Sequence, residues 1–329
     1  MKTKKIITLI VLFVAINCFS QEKQYPAPGK LVDIGGYNIH LIVQGEDTSG
    51  PTVVFFHGAG DIALIWNLVL PKVGSFATAV AIDHAGEGWS DHGYGMSLDQ
   101  QVFDSHQALK MAGLKPPYIV VGHSLGGILA NLFASEYKDD VSGVVLVDAT
   151  HPDIVLKIYN KSAKKMEWKK MRLTANDTIP EVKKTPLSSI PEVKSFQPKR
   201  DFGDMLNKFS ESDKKLFHWI YNERPWTYVK GQGNTYEAEI FQRMYSNYDN
   251  YNLGDIPLIV ISADNKDNPE GDDNWSTDEL IEHSQNLQKL LLGLSSNSTH
   301  IVASNSGHYI HVDEPDVIVD AIKILLKEK

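Results

Sequence analysis

Cysteine is almost absent: Cys18 is the sole one in 329 residues. Long apolar runs are scarce too, and the run at the N-terminus, Ile6 to Ile16, falls well short of the roughly twenty residues that a membrane span needs. Lys2, Lys4 and Lys5 precede it, and Asn17, Cys18 and Ser20 follow it, which is the layout of a secretory leader with cleavage expected after Ser20. The rival reading is a lipoprotein acylated on Cys18, which Asn17 just before it fits poorly. Loss of residues 1–20 removes the sole thiol, and with it any disulfide, cysteine nucleophile or thiolate metal site. An exported chain, periplasmic or extracellular and without an integral membrane span, is the expectation.

Basic charge is also in deficit, at 32 Lys and Arg against 41 Asp and Glu. Taking away the three leader lysines leaves 29 against 41, a net charge of −12. Such a balance argues against nucleic acid or an anionic membrane as the main partner and leaves a small-molecule substrate open. No repeat or low-complexity tract is visible. At 42% hydrophobic and 22% charged, the chain has the composition of one large or two ordinary globular domains.

Short, continuous runs rich in Val and Ile are what the chain does have. Thr52 to Phe56, Thr78 to Ile82, Tyr118 to Val121, Val144 to Val147 and Pro257 to Ile261 read as strands covered on both faces, whereas Tyr37 to Val43 alternates as a half-exposed strand does. Helical patterns at Leu98 to Met111, Gly127 to Tyr137, Thr277 to Leu292 and Glu314 to Leu326 lie between or after them. This alternation predicts an α/β fold with a mostly parallel sheet and helices on both faces, in which ligands sit beyond the carboxyl ends of the strands. From His151 to Leu253 the rhythm stops. Lysines, prolines and aromatics such as Trp168, Trp219, Tyr221 and Trp226 accumulate there, and the length predicts an inserted, mainly helical subdomain roofing the site. The expected organisation is a core of residues 21–150 and 254–329 with a cap of 151–253.

Gly122-His123-Ser124-Leu125-Gly126 directly follows one buried strand and opens a helical pattern. A serine in a G-x-S-x-G turn stands exposed at the strand end, and the N–H of the next residue points into the same space. Its hydroxyl needs a base, and of the twelve histidines His308, in Ser306-Gly307-His308 after the strand candidate Thr299 to Ala303, is best placed. His311 reads as structural and His123 as packing beside the serine. A carboxylate must orient the base, and here the residues leave alternatives open: Asp148 at the end of Val144 to Val147, or Asp264 and Asp267 past Pro257 to Ile261. The acidic loop around Asp267 lacks EF-hand spacing, and no metal or other cofactor is expected. Donors for a developing oxyanion would be the N–H of Leu125 and that of Ala59, in the loop His57-Gly58-Ala59-Gly60. Asp83 to Ser90, with its glycines, reads as a supporting turn.

Together these motifs resemble the α/β-hydrolase family, in its lid-bearing serine-hydrolase branch. The likeness rests on the His57-Gly58 loop, the D-x-x-G-x-G-x-S turn at Asp83 to Ser90, the serine elbow with Gly122, Ser124 and Gly126, and Gly307-His308. It implies an eight-stranded sheet with an inserted helical cap, and a triad in the order serine, acid, histidine. Family members usually carry the acid in a G-x-x-D turn. Here Ala263 replaces the glycine and Asp267 is off by one, which favours Asp148, with Asp267 next and Asp264 last. Serine at 124 excludes the alkyl-ester chemistry of members with aspartate there. The expected reaction is carboxylic-ester hydrolysis of a small to medium ester with an apolar acyl or aryl group. Carbon–carbon hydrolase, amidase or perhydrolase action on the same triad, and a non-catalytic binding protein on a hydrolase scaffold, are the alternatives.

Overall fold

The computed structural model describes residues 25–45, 50–94, 97–160, 162–170, 193–198, 200–229, 251–264 and 269–327. The leader, Cys18 and Asp267 lie outside the described residues. Eight strands form one sheet: β1 (Lys30–Asp33), β2 (Asn38–Gln44), β3 (Thr52–Phe56), β4 (Thr78–Ile82), β5 (Tyr118–His123), β6 (Val141–Val147), β11 (Leu258–Ala263) and β12 (Ser298–Ala303). Their order across the sheet is β1-β2-β4-β3-β5-β6-β11-β12. β2 runs antiparallel to β1 and β4, and every other pairing is parallel.

The parallel centre reads as continuous apolar sequence because both faces are covered. In β3, Val53 and Phe55 join the core cluster on one face, and Val54 and Phe56 join the cluster on the other. All four are fully buried, worth roughly 2 kcal/mol of transfer free energy per side chain. Helices α2 (Leu98–Met111) and α3 (Leu125–Glu136) cover one face, through residues such as Val102, Leu109, Leu129 and Phe133. The short α1 (Leu70–Gly74) and the last helix cover the other, the latter through Ile318, Ile322 and Leu325. Ser97 caps α2 by accepting from the Gln100 N–H.

Between β6 and β11 the described residues form α4 (Glu211–Asn222) and two antiparallel ribbons, β7 (Val155–Asn160) with β8 (Lys165–Lys170), and β9 (Val193–Phe196) with β10 (Trp226–Val229). α4 was anticipated as part of a helical cap; the ribbons were not. β7 and β8 are mostly exposed or partly buried and carry lysines, so they give no apolar run for a sequence reading to find. Each ribbon is pinned to the core. The Trp168 N–H donates to Asp272 Oδ2 at 2.8 Å, and the Thr227 N–H donates to the Gly86 carbonyl at 3.2 Å. After β11 come α5 (Thr277–Leu291), opened by a Ser276/Glu279 capping box, then α6 (Ile310–Asp313) and α7 (Pro315–Lys327). Among the described residues, no helix is long and apolar enough to cross a membrane.

Candidate active site

Ser124 sits between β5 and α3 at φ 53° and ψ −121°, a backbone conformation that a side chain other than glycine rarely adopts. Its neighbours make the turn possible by having no side chain. A Cβ at Gly122 would stand 2.1 Å from the Gly126 carbonyl oxygen, and one at Gly126 would stand 2.3 Å from the Phe56 carbonyl oxygen. The turn is then held from outside. The Ser124 N–H donates to the Val147 carbonyl at 3.1 Å, and the Ser124 carbonyl accepts from the N–H groups of Gly127 and Thr150, both at 2.9 Å. Leu125 is the first residue of α3, so its N–H has no carbonyl one turn back to bond.

Asp148 follows the next strand, β6, and is also held at positive φ, 40°. Its N–H donates to the Ile261 carbonyl at 2.7 Å, so the ends of β6 and β11 lie level. Of its carboxylate oxygens, Oδ1 accepts from the Ala263 N–H at 3.3 Å, and Oδ2 lies 2.5 Å from His308 Nδ1. His308 comes from the loop after β12, two strands further across the sheet. With its Nδ1 proton directed at the carboxylate, its Nε2 carries the lone pair. Asp264, by contrast, is exposed, and its N–H is used by the Ala303 carbonyl. Of the two acids in the described residues, Asp148 is the one that meets His308.

Ser124, Leu125, Asp148, His308 and Ala59 line one cavity of about 350 Å³. Its remaining wall is Ala149, Ile154, Leu156 and Leu287, with Thr150, His151, Ser284 and Gln288 as polar members. That wall is aliphatic. The cap aromatics Phe217, Trp219, Tyr221 and Trp226 pack instead into a core cluster with α1 and α7. None of these four aromatics lines the cavity of Ser124.

The supporting residues form a buried layer beneath the cavity. His57 Nδ1 lies 2.9 Å from the Gly58 carbonyl, and burial holds the imidazole below its usual range. A side chain at Gly58 would crowd the site, because a Cβ there would stand 3.1 Å from Ser124 Cβ and 3.0 Å from His123 Nδ1. His123 does more than pack: its Nε2 lies 2.8 Å from the His308 carbonyl and so fixes the loop carrying that histidine. Burial, then the neighbouring His311 and His308, push its pKa well down, which keeps the ring neutral. The Asp83 turn is a structural anchor. Although burial would raise its pKa, His40 at 2.7 Å and the Ala63 and Trp89 N–H groups hold the carboxylate below its usual range. Sequence reading missed Asp61 altogether. It is 2% exposed, follows the His57–Gly60 loop, and meets Arg200 Nη1 of the insertion at 2.5 Å. Burial raises its pKa to about 7 against the pull of Arg200 and His308. An acid one turn beyond a glycine loop gives no sequence signal of a partner 139 residues away.

His311 is fully buried with neither ring nitrogen bonded among the described residues, and burial, then His308 and Arg200, lower its pKa to about 3. The unfolded chain therefore takes up a proton near pH 6.5 that the folded chain refuses, so stability falls as pH drops through the window from 6.5 towards 3. A His311→Leu variant lacks this term. Denaturant melts at pH 7 and pH 5 should show wild type losing about 2 kcal/mol relative to the variant, and parallel losses would contradict a neutral buried ring. Among the described residues, no group of three or more His, Cys, Asp or Glu side chains is arranged to hold a metal ion.

Residues 53–321 match the family model described as alpha/beta hydrolase family. The uncharacterized protein YqjL of Bacillus subtilis is 27% identical over 280 residues, covering 84% of either chain. Epoxide hydrolase 1 of Caenorhabditis elegans is 24% identical over 301 residues, 88% of this chain and 68% of that one. Among solved structures, Cfl2 from Burkholderia cenocepacia superposes with a TM-score of 0.57 at 16% identity, covering 90% of this chain and 95% of that one. The enol-lactonase from Burkholderia xenovorans does so with a TM-score of 0.53 at 11% identity, covering 88% and 97%. With a family model spanning most of the chain and the sheet, turn and loops arranged as described, this chain belongs to the alpha/beta hydrolase family.

Proposed function

We propose that the chain is a serine hydrolase that forms an acyl-enzyme on Ser124 and hydrolyses carboxylic esters with a small to medium apolar acyl group. The observation that carries this reading is the 2.5 Å contact of His308 Nδ1 with Asp148 Oδ2, on the rim of the same cavity as Ser124. In it, His308 Nε2 takes the Ser124 proton as Oγ attacks the ester carbonyl, and Asp148 stabilises the imidazolium that forms. The Leu125 and Ala59 N–H groups receive the oxyanion, worth about 3 kcal/mol of barrier each. His308 returns the proton to the departing alkoxide, and water admitted to the same place releases the acid. The aliphatic wall of Ile154, Leu156 and Leu287 suits an alkyl acyl chain.

The kinship with an epoxide hydrolase does not extend to its bond type in this reading. Opening an epoxide through an alkyl-ester intermediate needs a carboxylate where Ser124 stands. A fluorophosphonate probe tests the reading directly. One adduct per chain, located on Ser124 by peptide mass spectrometry and absent from Ser124→Ala, is expected. Folded wild-type protein that takes no label would leave a ligand-binding scaffold as the better account.

A further inference from the structure

A second cavity, of about 420 Å³, lies on the other side of the oxyanion loop. Gly60 lines it, whereas its chain neighbour Ala59 lines the cavity of Ser124. Its walls come from Gly60, Gly86 and Glu87 of the core, and from Phe196, Arg200 and Trp226 of the insertion. The charge it presents is Arg200. Asp61 meets that guanidinium from behind and is only 2% exposed, whereas the arginine side chain is 23% exposed, so an entering group meets the cation first. The guanidinium lies 5.0 Å from the Phe202 ring and 5.5 Å from the Tyr309 ring, which fixes its plane. It carries five N–H donors, and Asp61 cannot use them all.

Trp226 lines the cavity with its indole N–H buried and without a hydrogen-bond partner among the described residues. Glu87 is buried with its Oε2 3.6 Å from His57 Nε2, and burial, then Asp83 and Asp61, push its carboxyl well above the usual range, which weakens it as a rival anion. A cation and an orphan indole N–H beside the Phe196 and Trp226 rings, 6.2 Å apart, make a site for an apolar body that ends in a carboxylate.

We propose that this cavity is the leaving-group subsite of the Ser124 reaction, and that the alcohol part of the substrate carries a carboxylate held by Arg200 and the Trp226 N–H. This rests on the reading of Ser124 as nucleophile. As the Ser124 Oγ–acyl bond forms, the carbonyl–alkoxy bond breaks, and the proton on His308 passes to the alkoxide. The alcohol departs with its carboxylate unchanged. Water then cleaves the acyl-serine bond.

The test pairs 4-acetoxybenzoate with its methyl ester, which differ in the charge at the far end of the leaving group. The ratio of their kcat/KM values, acid over methyl ester, should fall about 10- to 100-fold in Arg200→Gln, recover in part in Arg200→Lys, and fall by a smaller factor in Trp226→Phe. An unchanged ratio in Arg200→Gln overturns the subsite, including the case where both esters slow equally because the Asp61 contact only braces the loop. If wild type cleaves neither ester, the Ser124 reading has failed instead. Binding of 4-hydroxybenzoate to Ser124→Ala, followed by ligand-observed NMR, then judges the cavity alone: binding lost in the added Arg200→Gln change supports a carboxylate site, and no binding overturns it. In active wild type, competitive inhibition by 4-hydroxybenzoate places the carboxylate on the substrate, and inhibition that leaves KM unchanged overturns the leaving-group assignment in favour of a separate ligand.

Discussion

Ser124→Ala is expected to lower kcat on p-nitrophenyl acetate by about 10⁵- to 10⁶-fold, to whatever the oxyanion donors alone sustain. The size follows from what is removed. Without Oγ the proposed covalent intermediate cannot form, so water would have to attack the carbonyl directly. The backbone should tolerate the change, because the bonds that hold the turn are made by the Ser124 N–H and carbonyl, to Val147, Gly127 and Thr150. A thermal melt close to wild type would establish that. Turnover within tenfold of wild type in folded protein would rule out Ser124 as nucleophile.

Asp148→Asn should lower kcat by about 10⁴-fold on the same ester. The carboxylate can only accept from His308 Nδ1, and so it holds the proton there and leaves Nε2 basic. An asparagine amide can turn its NH2 group towards Nδ1, favouring the tautomer with Nε2 protonated and unable to take the serine proton. Its oxygen can still accept from the Ala263 N–H, so the strand end should survive the substitution. Asp264→Asn is the matched control, since that side chain is exposed, and it should change kcat by less than about twofold. Wild-type rates in Asp148→Asn, with loss in Asp267→Asn, would move the orienting role to the loop after β11.

The centre of the fold was readable in the sequence because strands buried on both faces are apolar at most positions, with polar residues confined to one or two places in each. β3, β4, β5, β6 and β11 are of this kind. The ribbons β7 to β10 were not readable, since a strand lying on the surface obeys no such requirement. Ser124 could be singled out as a candidate because its neighbours are constrained: a Cβ at Gly122 would stand 2.1 Å from one backbone carbonyl oxygen and a Cβ at Gly126 2.3 Å from another. Nothing of that sort marks an orienting acid. A carboxylate is chosen by where it points, and the direction of Asp148 comes from a positive φ and from the Ile261 carbonyl on a strand more than a hundred residues away. The Asp61–Arg200 pair escaped for the same reason. Long-range pairing leaves no local pattern.

The two ribbons of the insertion straddle the His57–Gly60 loop. β7 supplies Leu156 to the cavity beside Ser124, and β9 and β10 supply Phe196 and Trp226 to the cavity beyond Gly60. Different stretches of chain thus shape the two cavities, each tied to the core by its own anchor, Trp168 to Asp272 for one and Thr227 to Gly86 for the other. Such an arrangement is modular. Substitutions in one ribbon are expected to act first on the cavity that it lines.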